Sequence, residues 1–134
     1  MVCVQCGSKT KVVNSRYRKR SNQVWRRRQC PNCKALFTTE EAADYQAAWV
    51  VKGPQGRLSP FSRDKLLLSL YSSCKHRKTA LKDASGLTDT VIQKLAANID
   101  QAAVDTPTIV RTALVALNRF DKAAGVHYEA NHRR

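Results

Sequence analysis

The sequence predicts an α+β chain in two parts: a small antiparallel β unit held by cysteines, then a mostly helical domain that opens with a short β-hairpin. Three observations predict it. Cysteines occur as two C-x-x-C pairs, Cys3/Cys6 and Cys30/Cys33, near the start of a 134-residue chain. Charge is uneven: residues 1–39 hold ten Lys or Arg and no Asp or Glu, while 40–134 hold fourteen basic and ten acidic residues. Apolar residues recur at helical spacing only from Phe61 onwards.

The first 39 residues offer few apolar side chains, chiefly Val2, Val4, Val12, Val13, Val24, Trp25, Leu36 and Phe37. A segment of this size seldom folds on such a core and needs a staple. The cysteine pairs supply one. Twenty-three residues separate Cys6 from Cys30, slightly more than the usual ribbon spacing, and a loop absorbs the excess. Four thiolates from facing C-x-x-C turns are the tetrahedral set that Zn²⁺ prefers. Gly7 permits the turn after Cys6. A four-cysteine shell has no open position, so one zinc per chain bound by Cys3, Cys6, Cys30 and Cys33 is structural. Two chance pairs of buried thiols would need the core that this segment lacks.

Between the pairs lies NSRYRKRSNQVWRRRQ. It places Arg16, Arg18, Lys19, Arg20, Arg26, Arg27 and Arg28 within 13 positions. If two antiparallel strands meet near Ser21 and Asn22, both clusters lie on neighbouring strands, interleaved with small polar residues, Tyr17 and Trp25. This is the composition of a surface that grips a phosphate backbone and carries a few groups able to read bases. The formal net charge of +14 and the pI of about 10.1 point to a polyanionic partner: nucleic acid, an anionic membrane surface or phosphorylated ligands. The plainer reading is a solvated basic face, but no acid within residues 1–39 balances it.

A short helix is expected from Thr39 as N-cap, with Glu40 and Glu41 at the positive end of its dipole. The joint between two domains, 1–42 and 47–134, falls here. AAWVVK, GPQG and RLS read as a hairpin about a Gly/Pro turn. Helices are expected from Phe61 to about His76, from Thr88 to about Val104, and from Pro107 to about Phe120 with Thr106 as N-cap. LKDASG is expected to hold one more short turn. The segment from Gly125 to Arg134, with His127 and His132, reads as an exposed basic tail. Cys74 falls on an apolar helical face and reads as a core thiol.

No run approaches the roughly 18 apolar residues of a membrane span, and MVCVQCGSKTK has no apolar secretory core. These features point to the cytoplasm, where cysteines stay reduced, and to no membrane partner. No GxxxxGK[ST] loop, paired carboxylates or open metal site argues for an enzyme.

The chain resembles the NrdR-type repressors of ribonucleotide reductase genes. NSR, RRRQCPNC and LFTTEE match that family's N-terminal ribbon. VVK, the Gly-bearing turn, RLSPF, RDKL, TPTIV and LNRFDKAA follow in the order of its ATP-cone domain. The resemblance covers essentially the whole chain. It implies a bacterial, nucleoid-associated regulator whose ribbon binds double-stranded operator DNA with paired repeats, and whose cone binds ATP or dATP and changes the homo-oligomeric state. Carried over by position, Val50, Lys52, Arg57, Lys65 and Thr106 would face the nucleotide. Lys52, Arg57 and Lys65 are cations near a Gly/Pro turn, as triphosphate contacts should be. Ser59 stands where the family often has an acid, which leaves the choice between ATP and dATP open. The tail GVHYEANHRR departs from the family's Arg- and Tyr-bearing run. The competing function is an RNA- or ribosome-associated zinc ribbon with a structural cone.

Overall fold

The computed structural model describes residues 1–133. The chain forms two compact units, Met1–Ala43 and Asp44–Arg134.

The first unit is a three-stranded antiparallel sheet in the order β1-β2-β3. Its strands are β1 (Lys11–Arg18), β2 (Gln23–Gln29) and β3 (Leu36–Ala42). The β1–β2 turn falls where the sequence places it, with Asn22 left-handed at φ 49°. The expected helix from Thr39 does not form. Thr38 and Thr39 are β-branched, favour a strand, and pair with Arg27 and Arg26 of β2. Pairing with β2 continues through both acids, Glu40 opposite Trp25 and Glu41 opposite Val24, and their carboxylates meet Arg18 and Arg26. A helix starts only at Asp44, which caps α1 (Tyr45–Ala48) by accepting from the Gln46 and Ala47 amides. Within this unit only Cys3 and Cys30 are buried, as expected of a sheet without a core.

The second unit holds a mixed sheet, β5-β4-β6, and a helical bundle. Strands β4 (Val50–Lys52) and β5 (Leu58–Pro60) form the expected hairpin. At its turn Gln55 and Gly56 adopt φ of 58° and 72°; glycine takes this conformation without strain, glutamine at a small cost. A third strand, β6 (Ala103–Asp105), pairs parallel to β4. The helix expected to run to about Val104 ends at Asn98. Val104 is instead buried beneath the sheet, on the same face as its partners Val51 and Ser59.

Helix α2 (Arg63–Cys74) is capped by the Ser62 hydroxyl, which accepts from the Lys65 amide at 3.2 Å. Helix α3 (Ala80–Asn98) begins well before the expected start at Thr88. Thr88 lies buried in its interior and donates to Ala84 O at 2.7 Å. LKDASG is therefore its first turns. Gly86 sits on an exposed side of the helix, where packing elsewhere overrides its low propensity. Helix α4 (Thr106–Phe120) starts where expected, but its cap is Asp105, whose carboxylate accepts from the Thr108 amide at 2.7 Å. The supposed tail is helix α5 (Lys122–His132). It packs on α2 and α4, and Tyr128 is only 1% exposed. His127 is exposed, while His132 is half-buried, stacks on Tyr128 and bonds Ser69 Oγ at 3.2 Å. Arg134 lies outside the described residues. The core, from Trp49 and Phe61 through Leu70, Cys74, Val91 and Leu117 to Tyr128, belongs wholly to this unit. Cys74 is fully buried in it, and burial raises its thiol pKa.

Candidate metal centre and cationic sheet

Each C-x-x-C pair sits in a turn of the same construction. The Cys3 amide donates to Ser8 O at 2.7 Å and the Gly7 amide to Cys3 O at 3.0 Å. In the second turn the Cys30 amide donates to Ala35 O at 2.9 Å and the Lys34 amide to Cys30 O at 3.0 Å. Gly7 and Lys34 are the matching left-handed residues, at φ 71° and 63°. Lysine there is less usual, which is why only the first turn carries a glycine signal in the sequence. The Gln5 amide points at Cys3 Sγ (3.4 Å) and the Cys33 amide at Cys30 Sγ (3.5 Å). Such bonds stabilise thiolate.

The four sulfurs lie within 4.8 Å of one another. Cys3 and Cys33 Sγ are 3.6 Å apart, and Cys6 and Cys30 Sγ 3.5 Å. A tetrahedral zinc with bonds of about 2.3 Å requires sulfur separations of about 3.8 Å, so the set fits one ion. The Ser8 hydroxyl and amide, with Asn32, hold the Cys6 thiol down at about 5. Although the Ala35 amide pulls Cys33 down, desolvation and the neighbouring Cys6, Cys3 and Cys30 push it up to about 12. The cluster resists its last ionisation, the condition a divalent cation relieves. Cys3, Cys6, Cys30 and Cys33 would hold Zn²⁺ as a closed shell at one end of the sheet, where β1 starts, β2 ends and β3 starts, and that shell leaves no position for substrate.

The same sheet carries the basic strip. Directly opposed residues of adjacent strands share a face. Register pairs Arg27 with Asn14 and Thr38, and Trp25 with Arg16 and Glu40. Arg16, Arg18 and Arg27 therefore share one face, and Arg26 and Arg28 the other. Lys19 and Arg20 occupy the β1–β2 turn. Two acids just beyond residue 39 supply the balance that the sequence lacked within it. Glu40 meets Arg18 at 3.1 Å, and Glu41 meets Arg26 at 2.6 Å. Arg28 is tied to Thr39 (3.3 Å) and Thr10 (3.4 Å), and Arg27 to Thr38 (3.3 Å). The sequence reading missed Glu40 and Glu41 because it placed them on a helix.

In the second unit Val50 and Lys52 share the exposed face of β4, Arg57 follows the hairpin turn, and Lys65 lies exposed in the first turn of α2. Thr106 reaches this sheet: its hydroxyl donates to Lys52 O at 3.4 Å. Asp105, which the sequence reading did not single out, pairs opposite Lys52. The Thr108 hydroxyl and amide, and more weakly Arg111 and Lys52, hold its carboxyl below the usual range. A groove of about 360 Å³, lined by Lys94, Asn98, Asp105 and Thr108 among others, opens beside it. Among the described residues no helix is long and apolar enough to cross a membrane.

Residues 1–41 match the domain family described as Transcriptional repressor NrdR-like, N-terminal domain. Whole-length relatives extend the likeness. The protein named Transcriptional repressor NrdR of Symbiobacterium thermophilum is 32% identical over 135 residues, covering 99% of this chain and 87% of the relative. Those of the same name from Geobacillus kaustophilus and Geobacter sulfurreducens are each 31% identical over 134 residues, covering 99% of this chain and 86% and 88% of the relatives. With the four-cysteine centre, the ribbon sheet and a likeness that runs through both units, the chain belongs to the NrdR family of transcriptional repressors.

Proposed function

We propose that this chain is a nucleotide-responsive repressor that binds paired operator repeats in duplex DNA through its ribbon and senses ATP or dATP through its second unit, with ribonucleotide reductase genes as targets. The observation that carries the reading is the cationic sheet. Five of its seven strip cations, Arg16, Lys19, Arg20, Arg27 and Arg28, have no acidic partner among the described residues. A small sheet gains no stability from such crowding, and a polyanion relieves it. The zinc centre fixes the ends of the strands, and the strands aim the cations.

Nucleotide sensing rests on the family and on Val50, Lys52, Arg57, Lys65 and Thr106, the positions that match its nucleotide motif. The switch works by changing the homo-oligomer, and so the spacing between ribbons on paired repeats. In this reading dATP tightens operator binding, and ATP alone loosens it by favouring a different oligomer. A coupling of about 1–3 kcal/mol is ordinary for such a device. By linkage, operator DNA must raise dATP affinity by the same factor.

The test is light scattering of the full chain with no nucleotide, ATP or dATP, matched to operator titrations in each state. Different oligomers with different operator affinities are expected. Equal mass and equal affinity in all three would leave a constitutive binder. Tighter binding of RNA than of duplex DNA of the same length would favour the RNA- or ribosome-associated alternative.

A further inference from the structure

The two faces of the ribbon sheet are not equivalent, and a single irregularity makes them so. β1 and β2 pair with one register from Lys11↔Gln29 to Val12↔Arg28 and another from Asn14↔Arg27 onwards, so Val13 is an extra, bulged residue. Side chains alternate along a strand, and one inserted residue exchanges the faces of everything beyond it. Without the bulge, Asn14, Arg16 and Arg18 would lie with Arg26. With it, they lie with Arg27.

Along Leu36–Glu40 of β3 this composite face is the more open one, although Val12 and Glu41 on the opposite face are exposed as well. Along β3, its residues Leu36, Thr38 and Glu40 are exposed, whereas Phe37 and Thr39 on the opposite face are half-buried. The opposite face also carries Val12, Val24 and Arg28, the last held by Thr10 and Thr39. Of the cations on the open face only Arg18 has an acidic partner among the described residues. Arg27 donates to the Thr38 hydroxyl at 3.3 Å but, like Arg16, has its charge left to an outside anion.

Resting on the reading above that the ribbon binds duplex DNA, we propose that the Asn14–Arg27 row on the open face of β1 and β2 enters the major groove and reads bases there, Arg27 a guanine and Asn14 an adenine. A two-stranded β-ribbon fits the major groove. Arginine pairs in bidentate fashion with guanine O6 and N7, and asparagine with adenine N6 and N7. Opposed side chains on adjacent strands begin about 5 Å apart, and successive bases lie about 3.4 Å apart. The two bases are therefore one or two steps from each other. Arg16, beside Trp25 in the next row, meets phosphate, and Arg26 on the other face reads nothing.

The test uses the full-length, zinc-loaded chain. Its preferred duplex is selected from random DNA, and each base pair is then replaced singly. Arg27→Ala and the charge-retaining Arg27→Lys are expected to bind the preferred duplex about tenfold to a hundredfold more weakly and to lose discrimination at one guanine. Asn14→Ala is expected to lose it at an adenine one or two steps away. Arg26→Gln is expected to change affinity at most about threefold, since an exposed ion pair contributes little, and to keep both preferences. Unchanged zinc content certifies each variant as folded. If Arg27→Ala weakens every sequence equally, or Arg26→Gln relaxes a preference, this face is not the reader, while DNA binding itself stands. If the parent chain selects no duplex at all, the underlying reading falls as well.

Discussion

Arg77 Nη1 lies 3.0 Å from Asp121 Oδ2, and the same carboxylate oxygen takes His76 Nε2 at 2.9 Å. This carboxylate ties the segment between α2 and α3 to the turn between α4 and α5. Asp121 also caps α5, accepting from the Ala123 and Ala124 amides at 2.9 and 3.3 Å. Arg77 in turn holds Asp83 at 2.8 Å and stacks on Phe120 at 4.5 Å. Four helices converge on one carboxylate.

That convergence sets the acid limit of the second unit. His76, then Arg77, holds the Asp121 carboxyl well below the usual carboxylate range, and Arg77 with Thr79 lowers Asp83. A lowered folded-state pKa means the unfolded chain takes up protons first. Stability from both groups is therefore complete above about pH 4 and declines as pH falls towards the folded-state values. Asp121→Asn should lower the melting temperature at pH 7 and flatten its decline below pH 4. Thermal melts across pH 2 to 7 check this. A variant that declines as steeply as the parent would remove Asp121 as the cause.

The first unit should depend on metal and the second should not. Elemental analysis should find one zinc per chain. Cys30→Ser should abolish binding of that zinc and unfold the ribbon, because only Cys3 and Cys30 are buried there and metal binding supplies the folding energy. Helical circular dichroism and the cooperative melt of the bundle should survive, since no described residue of its core belongs to Met1–Ala43.

DNA binding should depend strongly on salt. With about five of the seven strip cations meeting phosphate, at about 0.9 per contact, the log–log slope is roughly −4 to −5 per chain. Glu40→Gln should release Arg18 on the open face and make the slope steeper by up to about one, with tighter binding at low salt. Fluorescence anisotropy across a salt series measures both. A flat titration would remove the ribbon as the DNA surface.

Adenine nucleotide should bind without hydrolysis. Lys52→Ala and Lys65→Ala should each weaken it by about 1–3 kcal/mol, the scale of a charge-assisted contact. Calorimetry that finds unchanged affinity in the double variant would put the site elsewhere, the groove beside Asp105 being the next place to look.

The sequence alone determined what is local. Two C-x-x-C spacings named the metal ligands, a Gly/Pro turn placed the β4–β5 hairpin, and Thr106-Pro107 marked the start of α4 to within one residue. Each signal lies in a few adjacent residues, so short-range backbone chemistry suffices. The identities of the strip cations were equally legible. Their partners were not. Only the sheet brings Glu40 and Glu41 to Arg18 and Arg26, because residues 15 or more positions apart meet through strand pairing. The bulge at Val13 decides which arginines share a face, and no residue type announces it. β6 exists because Val104 is buried on a sheet that begins more than fifty residues earlier. α5 holds because Tyr128 packs into the core and Gly125, lacking a Cβ, lets α5 lie close against Asn118 of α4, where the sequence showed only a polar tail. Burial supplies the energy in these cases, and burial is a property of elements brought together, not of any one segment.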